Sequence, residues 1–167
     1  MRMPLLRIDD CGLFCEAGGF HIDPWKPVKR AVISHGHGDH ARPGSKAYLA
    51  AAPSLPILER RLGPEARIEA VPFGERVRVG ETLVSFHPAG HILGSAQVRV
   101  ERNGEVWVFS GDYKRAPDPS CEVFEPVPCH TFITEATFAL PIYHWDDTAV
   151  VVREVLDWWE VNREAGR

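Results

Sequence analysis

In the segment Ala31-Val-Ile-Ser-His35-Gly-His37-Gly-Asp39-His40, three imidazoles and a carboxylate fall within six residues, directly after an apolar run. Neutral imidazole and carboxylate are the donors that borderline divalent cations such as Zn²⁺ prefer. Gly36 and Gly38 let the backbone turn sharply and leave room beside an ion. His35 and His37 can face one ion, while Asp39 and His40, further along the turn, can face a second. Two later segments follow the same plan. His91 stands in the glycine-flanked turn Ala89-Gly90-His91 after an apolar run, and Asp112 stands in Ser110-Gly111-Asp112 after another. Each is placed where a strand should end, and loops at such places carry chemistry on a rigid scaffold. An aspartate there is by itself an ordinary turn residue; the nearby histidines are what make Asp112 a ligand candidate.

The rest of the composition narrows the classes. The chain has 167 residues, 44% hydrophobic and 25% charged, which fits one globular domain and excludes a disordered or collagen-like chain. No stretch of 18 or more apolar residues suggests a membrane span, and no secretory signal is legible. The net charge of −4 provides no basic field of the kind that marks nucleic-acid binding. The four cysteines, Cys11, Cys15, Cys121 and Cys129, lack zinc-ribbon spacing and read as reduced structural thiols of a cytoplasmic protein. No Gly-x-Ser-x-Gly elbow is present, so nothing points to a serine nucleophile.

The elements that must hold the ligands are short. Strands are expected at Phe20–Ile22, Ala31–Ser34, Lys46–Leu49, Ile68–Val71, Arg76–Val79, Thr82–Phe86, Ala96–Val100, Val106–Phe109 and Thr131–Thr134. They are rich in Val, Ile and Phe and bounded by Gly, Pro or Asp. Gly and Pro, 14 each, supply the many turns this requires. Asn103-Gly104 predicts a two-residue type I′ hairpin. Helices are expected at Leu55–Leu62, stopped by Gly63-Pro64, and at Asp147–Glu164, where Val152, Val155, Leu156 and Trp159 form an apolar stripe. Trp107, Trp158 and Trp159 are expected to pack in a core. His21, His130 and His144 are expected to be structural or exposed, and His87 a strand-end polar group.

His35-x-His37-x-Asp39-His40, followed by His91 and Asp112 in this order and context, resembles the metallo-β-lactamase superfamily. Glu135-Ala-Thr137-Phe138 is similar to the first signature of its β-CASP nuclease branch. Asp23-Pro-Trp25, the segment His40–Ser45, the segment His87–Gln97 and the segment Phe138–Tyr143 resemble bacterial DNA-ligase-associated exonucleases, which occur beside an ATP-dependent ligase and a helicase.

The resemblance implies an α+β fold, the N-terminal part of an αββα sandwich, with residues 1–140 in the metallo-β-lactamase domain and 141–167 opening a truncated cap domain. It implies a zinc centre in which His35, His37 and His91 hold one ion, Asp39 and His40 a second, and Asp112 both. Asp23 would support the metal loop, and Glu135 would hold and polarise a histidine further on. Asp23, Asp39, Asp112 and Glu135 are thus the catalytic candidates.

The implied activity is zinc-dependent phosphodiester hydrolysis: a DNA exonuclease of ligase-linked repair, with an RNA-processing nuclease or an inactive metal-binding interaction module as alternatives. Two divalent ions would add about four positive charges and invert the local field toward a polyanion. Arg42, Lys114 and Arg115 follow the ligand motifs and could touch phosphate, although solvated surface charge explains them as well. The family's later general-acid histidine and last zinc histidine have no counterpart after Glu135. The chain is therefore expected to be an N-terminal half with a weak second metal site, poor turnover and a tendency to self-associate. Substituting His37→Ala is expected to release most bound zinc and His144→Ala to leave it, as read by elemental analysis; equal retention in the two variants would overturn the ligand assignment.

Overall fold

The computed structural model describes residues 4–166. The chain divides into two compact units, Met1–Glu135 and Ala136–Arg167. Among its described residues the first holds eleven strands: β1 (Arg7–Asp9), β2 (Gly12–Cys15), β3 (Phe20–Ile22), β4 (Ala31–Ile33), β5 (Tyr48–Ala51), β6 (Ile68–Val71), β7 (Val77–Val79), β8 (Thr82–Pro88), β9 (Ala96–Arg102), β10 (Glu105–Phe109) and β11 (Thr131–Ile133). Helix α1 (Leu55–Leu62) lies between β5 and β6 in the chain.

Two mixed sheets form. One runs β1 to β6 in sequence order, antiparallel through β3 and parallel from β3 to β6. The other is ordered β11-β10-β9-β8-β7, antiparallel except for the parallel β10–β11 pair.

The alternation of side chains explains the layering. Val32, Leu49, Ala51 and Val71 of the first sheet share one buried cluster with Val84, Phe86, Val98 and Val100 of the second. The intervening residues Ala31, Ile33, Tyr48 and Ala50 face the other way and pack with Leu58 and Leu62 of α1. Strands β4 and β5 are therefore buried throughout, as expected of parallel strands covered on both faces. The result is an α+β arrangement in which α1 covers the first sheet and the second sheet closes the core. None of the described helices is long and apolar enough to cross a membrane.

Most predicted elements are present, with informative differences. Strands β1 and β2 were not expected; each is too short for alternation to show, and they are fixed by pairing to each other and to β3. The strand expected over Lys46–Leu49 is shifted to Tyr48–Ala51, where all four residues are buried. The β9–β10 hairpin turns at Asn103 (φ 50°) and Gly104 (φ 79°), with Arg102 opposite Glu105, the two-residue I′ geometry.

In the second unit, α2 (Thr148–Glu164) is capped by Asp147, whose Oδ1 accepts the amide of Ala149 at 2.8 Å. Here the expectation of core packing fails for Trp158 and Trp159, which are 67% and 56% exposed, as are Val152, Val155 and Leu156 on the predicted stripe. Periodicity specifies which residues share a helix face, and not whether anything covers that face. Trp107 does pack against the inter-sheet core.

Phe86 is fully buried between the sheets. Its replacement by alanine is expected to cost about 3–5 kcal/mol, whereas Val155→Ala on exposed α2 should stay within about 0.5 kcal/mol. Urea unfolding of both variants checks the contrast.

Candidate metal centre

Four loops at strand ends build the centre. Asp23 follows β3, Ser34 to Ala41 follow β4, His91 lies between β8 and β9, and Asp112 follows β10. His35 Nε2 lies 3.0 Å from His37 Nδ1, and His37 Nδ1 lies 3.3 Å from His91 Nε2. Asp112 Oδ2 is 3.7 Å from both His35 Nε2 and His91 Nε2. One donor atom from each of these four residues falls within 4.8 Å of every other. A tetrahedral zinc with bonds of ~2.0–2.1 Å requires donors about 3.3 Å apart. The donor set therefore fits such an ion in both type and spacing.

The other oxygen of the same carboxylate turns to a second group. Asp112 Oδ1 is 3.4 Å and Asp39 Oδ2 3.6 Å from His40 Nε2. Asp112 thus faces both clusters, while Asp39 remains 73% exposed.

Asp23 holds the loop. Its Oδ1 accepts the Ser34 amide at 2.8 Å, and its Oδ2 accepts the Ser34 hydroxyl at 2.5 Å and His40 Nδ1 at 2.8 Å. Although Asp23 lies near His35 and His40 in ligand-like proximity, both its oxygens are already engaged, so it orients neighbours rather than offering a free donor.

Hydrogen-bond bookkeeping then fixes two tautomers. Ser34 Oγ has one proton and gives it to Asp23, so at 3.0 Å from His35 Nδ1 it accepts. His35 therefore carries its proton on Nδ1 and presents a bare Nε2 to the cluster. His40 likewise donates from Nδ1 to Asp23 and presents Nε2 to Asp39 and Asp112. Carboxylate or hydroxyl support behind a ligating imidazole is the usual device for setting its orientation and basicity.

Glycine and serine bring the loops together. Gly111 has φ 57°, and a Cβ there would stand 2.8 Å from the Cβ of Ser34, so only glycine lets the β10 turn approach the metal loop. The Ser95 hydroxyl accepts the amides of His91 and Ile92 at 2.9 and 3.2 Å, and the Ala96 amide donates to Ser34 O at 2.9 Å, joining the sheets. Glu135 is tied to the same end: its amide donates to Ser110 Oγ at 3.2 Å and its Oε1 accepts the Tyr113 amide at 3.4 Å.

Electrostatics agree with the donor chemistry. Burial, reinforced by repulsion from His40, His37 and His91, pushes His35 from 6.5 down to about 2. Burial also lowers His91, against the pull of Asp112. Burial acts to lower His40 too, but the hydrogen bond and charge of Asp23, with Asp112 and Asp39, hold it above its ordinary value.

All six ligand candidates, His35, His37, Asp39, His40, His91 and Asp112, therefore meet at one edge of the sheets, with Asp23 behind them and Glu135 alongside. Residues that sequence reasoning passed over are Ser34, Ser95 and Ser110; the signal was a small hydroxyl residue directly beside a ligand or its turn. The remaining four histidines lie elsewhere: His87 bridges Ser85 and Glu125, His130 accepts the Val106 amide, His21 pairs with Asp9, and His144 is exposed. Lys114 is engaged by Asp118 at 3.0 Å, and Arg42 donates to the carbonyl of Asp39 at 3.2 Å.

No family model matches the chain. Among curated proteins it is similar to a probable DNA ligase of Opitutus terrae, 31% identical over 147 residues that cover 86% of this chain and 14% of the relative. It is similar to a ribonuclease of Thermus thermophilus, 31% identical over 148 residues, 66% of this chain and 34% of that one. An endoribonuclease of Gibberella zeae is 27% identical over 124 residues, 72% of this chain and 14% of its own. The chain spans between 14% and 34% of the length of these relatives. Among solved structures, a protein of unknown function from Enterococcus faecalis superposes with a TM-score of 0.45 at 19% identity, over 52% of this chain and 25% of its own.

A folded-state pKa of about 2 against 6.5 means that, between those values, the unfolded chain binds a proton at His35 that the folded chain does not. Stability from this group is whole above 6.5 and is lost as pH falls through that window. His40, raised, acts in the opposite sense: its contribution is present below 6.5 and is lost as pH rises through its raised value. With metal removed by chelation, the urea midpoint of the native chain should fall between about pH 7 and about pH 4, and that of His35→Gln should fall less. Parallel losses would show that His35 is not held neutral.

Proposed function

From the chain's place in the β-CASP branch of the metallo-β-lactamase superfamily, we propose that it carries the metal centre of a phosphodiester hydrolase, a DNA exonuclease of ligase-linked repair. The observation that carries this reading is the convergence of His35, His37, His91 and Asp112, with His40 and Asp39 beside them, on one sheet edge. His35, His37 and His91 would hold a first zinc, Asp39 and His40 a second, and Asp112 would reach both through its two oxygens. When bound, such ions supply Lewis acidity, holding a phosphoryl oxygen and acidifying the water that attacks phosphorus.

The protein's own groups prepare that chemistry. Ser34 and Asp23 orient His35 and His40 with bare Nε2 atoms. Burial keeps His35 neutral, with its one ring proton on Nδ1, and shields it from water. Glu135 stands on the Asp112 side of the centre, where its charge acts on His91 and where it can hold a further proton-transfer group. Arg42, anchored at Asp39, and exposed Arg115 offer cations to a phosphate chain approaching the open side.

The layered arrangement of α1 and the two sheets supports reading the first unit as the αββα family sandwich in part, with residues 1–140 its N-terminal portion and 141–167 the opening of a cap domain. A cytoplasmic setting and association with a ligase and helicase belong to the same proposal. Of these, the ligase association is supported by the relative named as a probable DNA ligase. A second reading, an RNA-processing nuclease, is favoured by the two relatives named as ribonucleases.

Matched single-stranded DNA and RNA, digested with the 167-residue chain under rising Zn²⁺ or Mn²⁺, separate these readings. DNA should be shortened faster than RNA, slowly overall. The rate should keep rising beyond one metal per chain as the three-ligand second site fills, and Asp112→Ala should lower it at least about 100-fold. Faster RNA cleavage with the same Asp112 dependence would select the second reading. Metal binding with no turnover on either polymer would leave only an interaction module.

A further inference from the structure

A second cluster of ligand-type side chains lies on different elements and shares no residue with the centre described above. Asp9 ends β1 and pairs with Gly12 at the start of β2, so Asp10 and Cys11 form the tip of a two-residue hairpin turn. His21 of the adjacent β3 pairs with Phe14 and stacks on its ring at 4.5 Å. His21 Nε2 lies 3.1 and 3.0 Å from the two oxygens of Asp9, and Asp9 Oδ1 also accepts the Cys11 amide at 2.8 Å. One donor atom each of Asp9, Cys11 and His21 lies within 4.8 Å of the others. The histidine side chain is 13% and the aspartate 27% exposed, and the cysteine is half-buried. The Cys11 amide, with His21 and Arg7, holds the Asp9 carboxyl below its ordinary value, which keeps it ionised.

We propose that Asp9, Cys11 and His21 form a second, separate zinc site that joins the β1–β2 turn to β3. Thiolate, imidazole and carboxylate together are a borderline-to-soft donor set that suits Zn²⁺ and not the oxygen-seeking Mg²⁺ or Ca²⁺. Three protein donors leave a fourth position open to solvent. On binding, the Cys11 thiol releases its proton to solvent, and His21 presents Nε2 in its other tautomer in place of the hydrogen bond to Asp9; no electron is transferred. The site acts as a clip. It ties the turn between the two short strands β1 and β2 to β3, the strand that leads into Asp23.

A thiolate ligand gives this site a signature that the histidine–aspartate centre lacks. With Co²⁺ as the probe on the purified chain, a thiolate-to-cobalt charge-transfer absorption in the near ultraviolet is expected in the native chain and in His37→Ala. It should be lost in Cys11→Ser and weakened in His21→Ala, with circular dichroism confirming that each variant is folded. Elemental analysis should show one zinc fewer per chain in Cys11→Ser, while His37→Ala loses zinc and keeps the thiolate signal. Absence of that absorption in the native chain, or its survival in Cys11→Ser, would overturn the proposal. Loss of it in His37→Ala would equally do so, by placing the thiolate in the other centre.

Discussion

The carboxylate of Asp23 is the constraint on which the centre depends. It is 8% exposed and accepts three hydrogen bonds, two from Ser34 and one from His40. Through Ser34 it sets the tautomer of His35, and directly it sets that of His40, so one side chain orients a ligand in each cluster. Its backbone sits at φ 43°, a conformation that aspartate tolerates better than most residues but that the surroundings must impose. Removing the carboxylate would leave the Ser34 amide as a buried donor without a partner, at a cost of about 1–3 kcal/mol. Both metal clusters would lose their alignment at the same time.

The sheets make that local arrangement useful. Strands β3 and β4 are parallel, as are β4 and β5, so the chain leaving β3 and the chain leaving β4 emerge at the same end, and Asp23 meets Ser34 there. The second sheet delivers its β8–β9 and β10 ends to the same place, joined by the Ala96–Ser34 hydrogen bond and by the close approach at Gly111. The core between the sheets, with Phe20, Ile22, Phe86 and Val98 fully or almost fully buried, fixes the distance between the two sets of loops. Close-packed interiors transmit such positions with little slack.

Crowding four imidazoles around a buried point is electrostatically unfavourable unless they are neutral, and burial makes them so at His35 and His91. The Nε2 atoms of His35 and His91 both face His37 Nδ1, at 3.0 and 3.3 Å, so three ring nitrogens are gathered around one point. Such a set of nitrogens, with the Asp112 carboxylate beside it, could hold a divalent cation. A different imbalance marks the second unit, where Val150, Val155, Trp158, Trp159 and Val161 leave apolar surface exposed around α2. A helix apolar on more than one face is ordinarily a covered helix.

The donor types of the candidate ligands, and their placement in separate strand-end loops, were legible in the sequence, because residue type and glycine spacing are local properties. The Asn103-Gly104 turn, the stop of α1 at Gly63 and the Asp147 cap were legible for the same reason: each depends on a few neighbouring residues. Strands β1 and β2 were not legible, because three or four residues carry too little alternation and exist only through their partners. Ser34, Ser95 and Ser110 were also missed, since a hydroxyl shows its role only when a residue far along the chain arrives to accept or donate. The exposure of Trp158 and Trp159 was decided in the same way, by what packs against a face and not by the face itself. The sequence by itself determined which donor groups stand at strand ends and where the turns lie. Only the tertiary structure decided that Ser34 links Asp23 to His35, that Asp23 also holds His40 and that Asp9, Cys11 and His21 meet, because convergence in space depends on the pairing of strands distant in sequence.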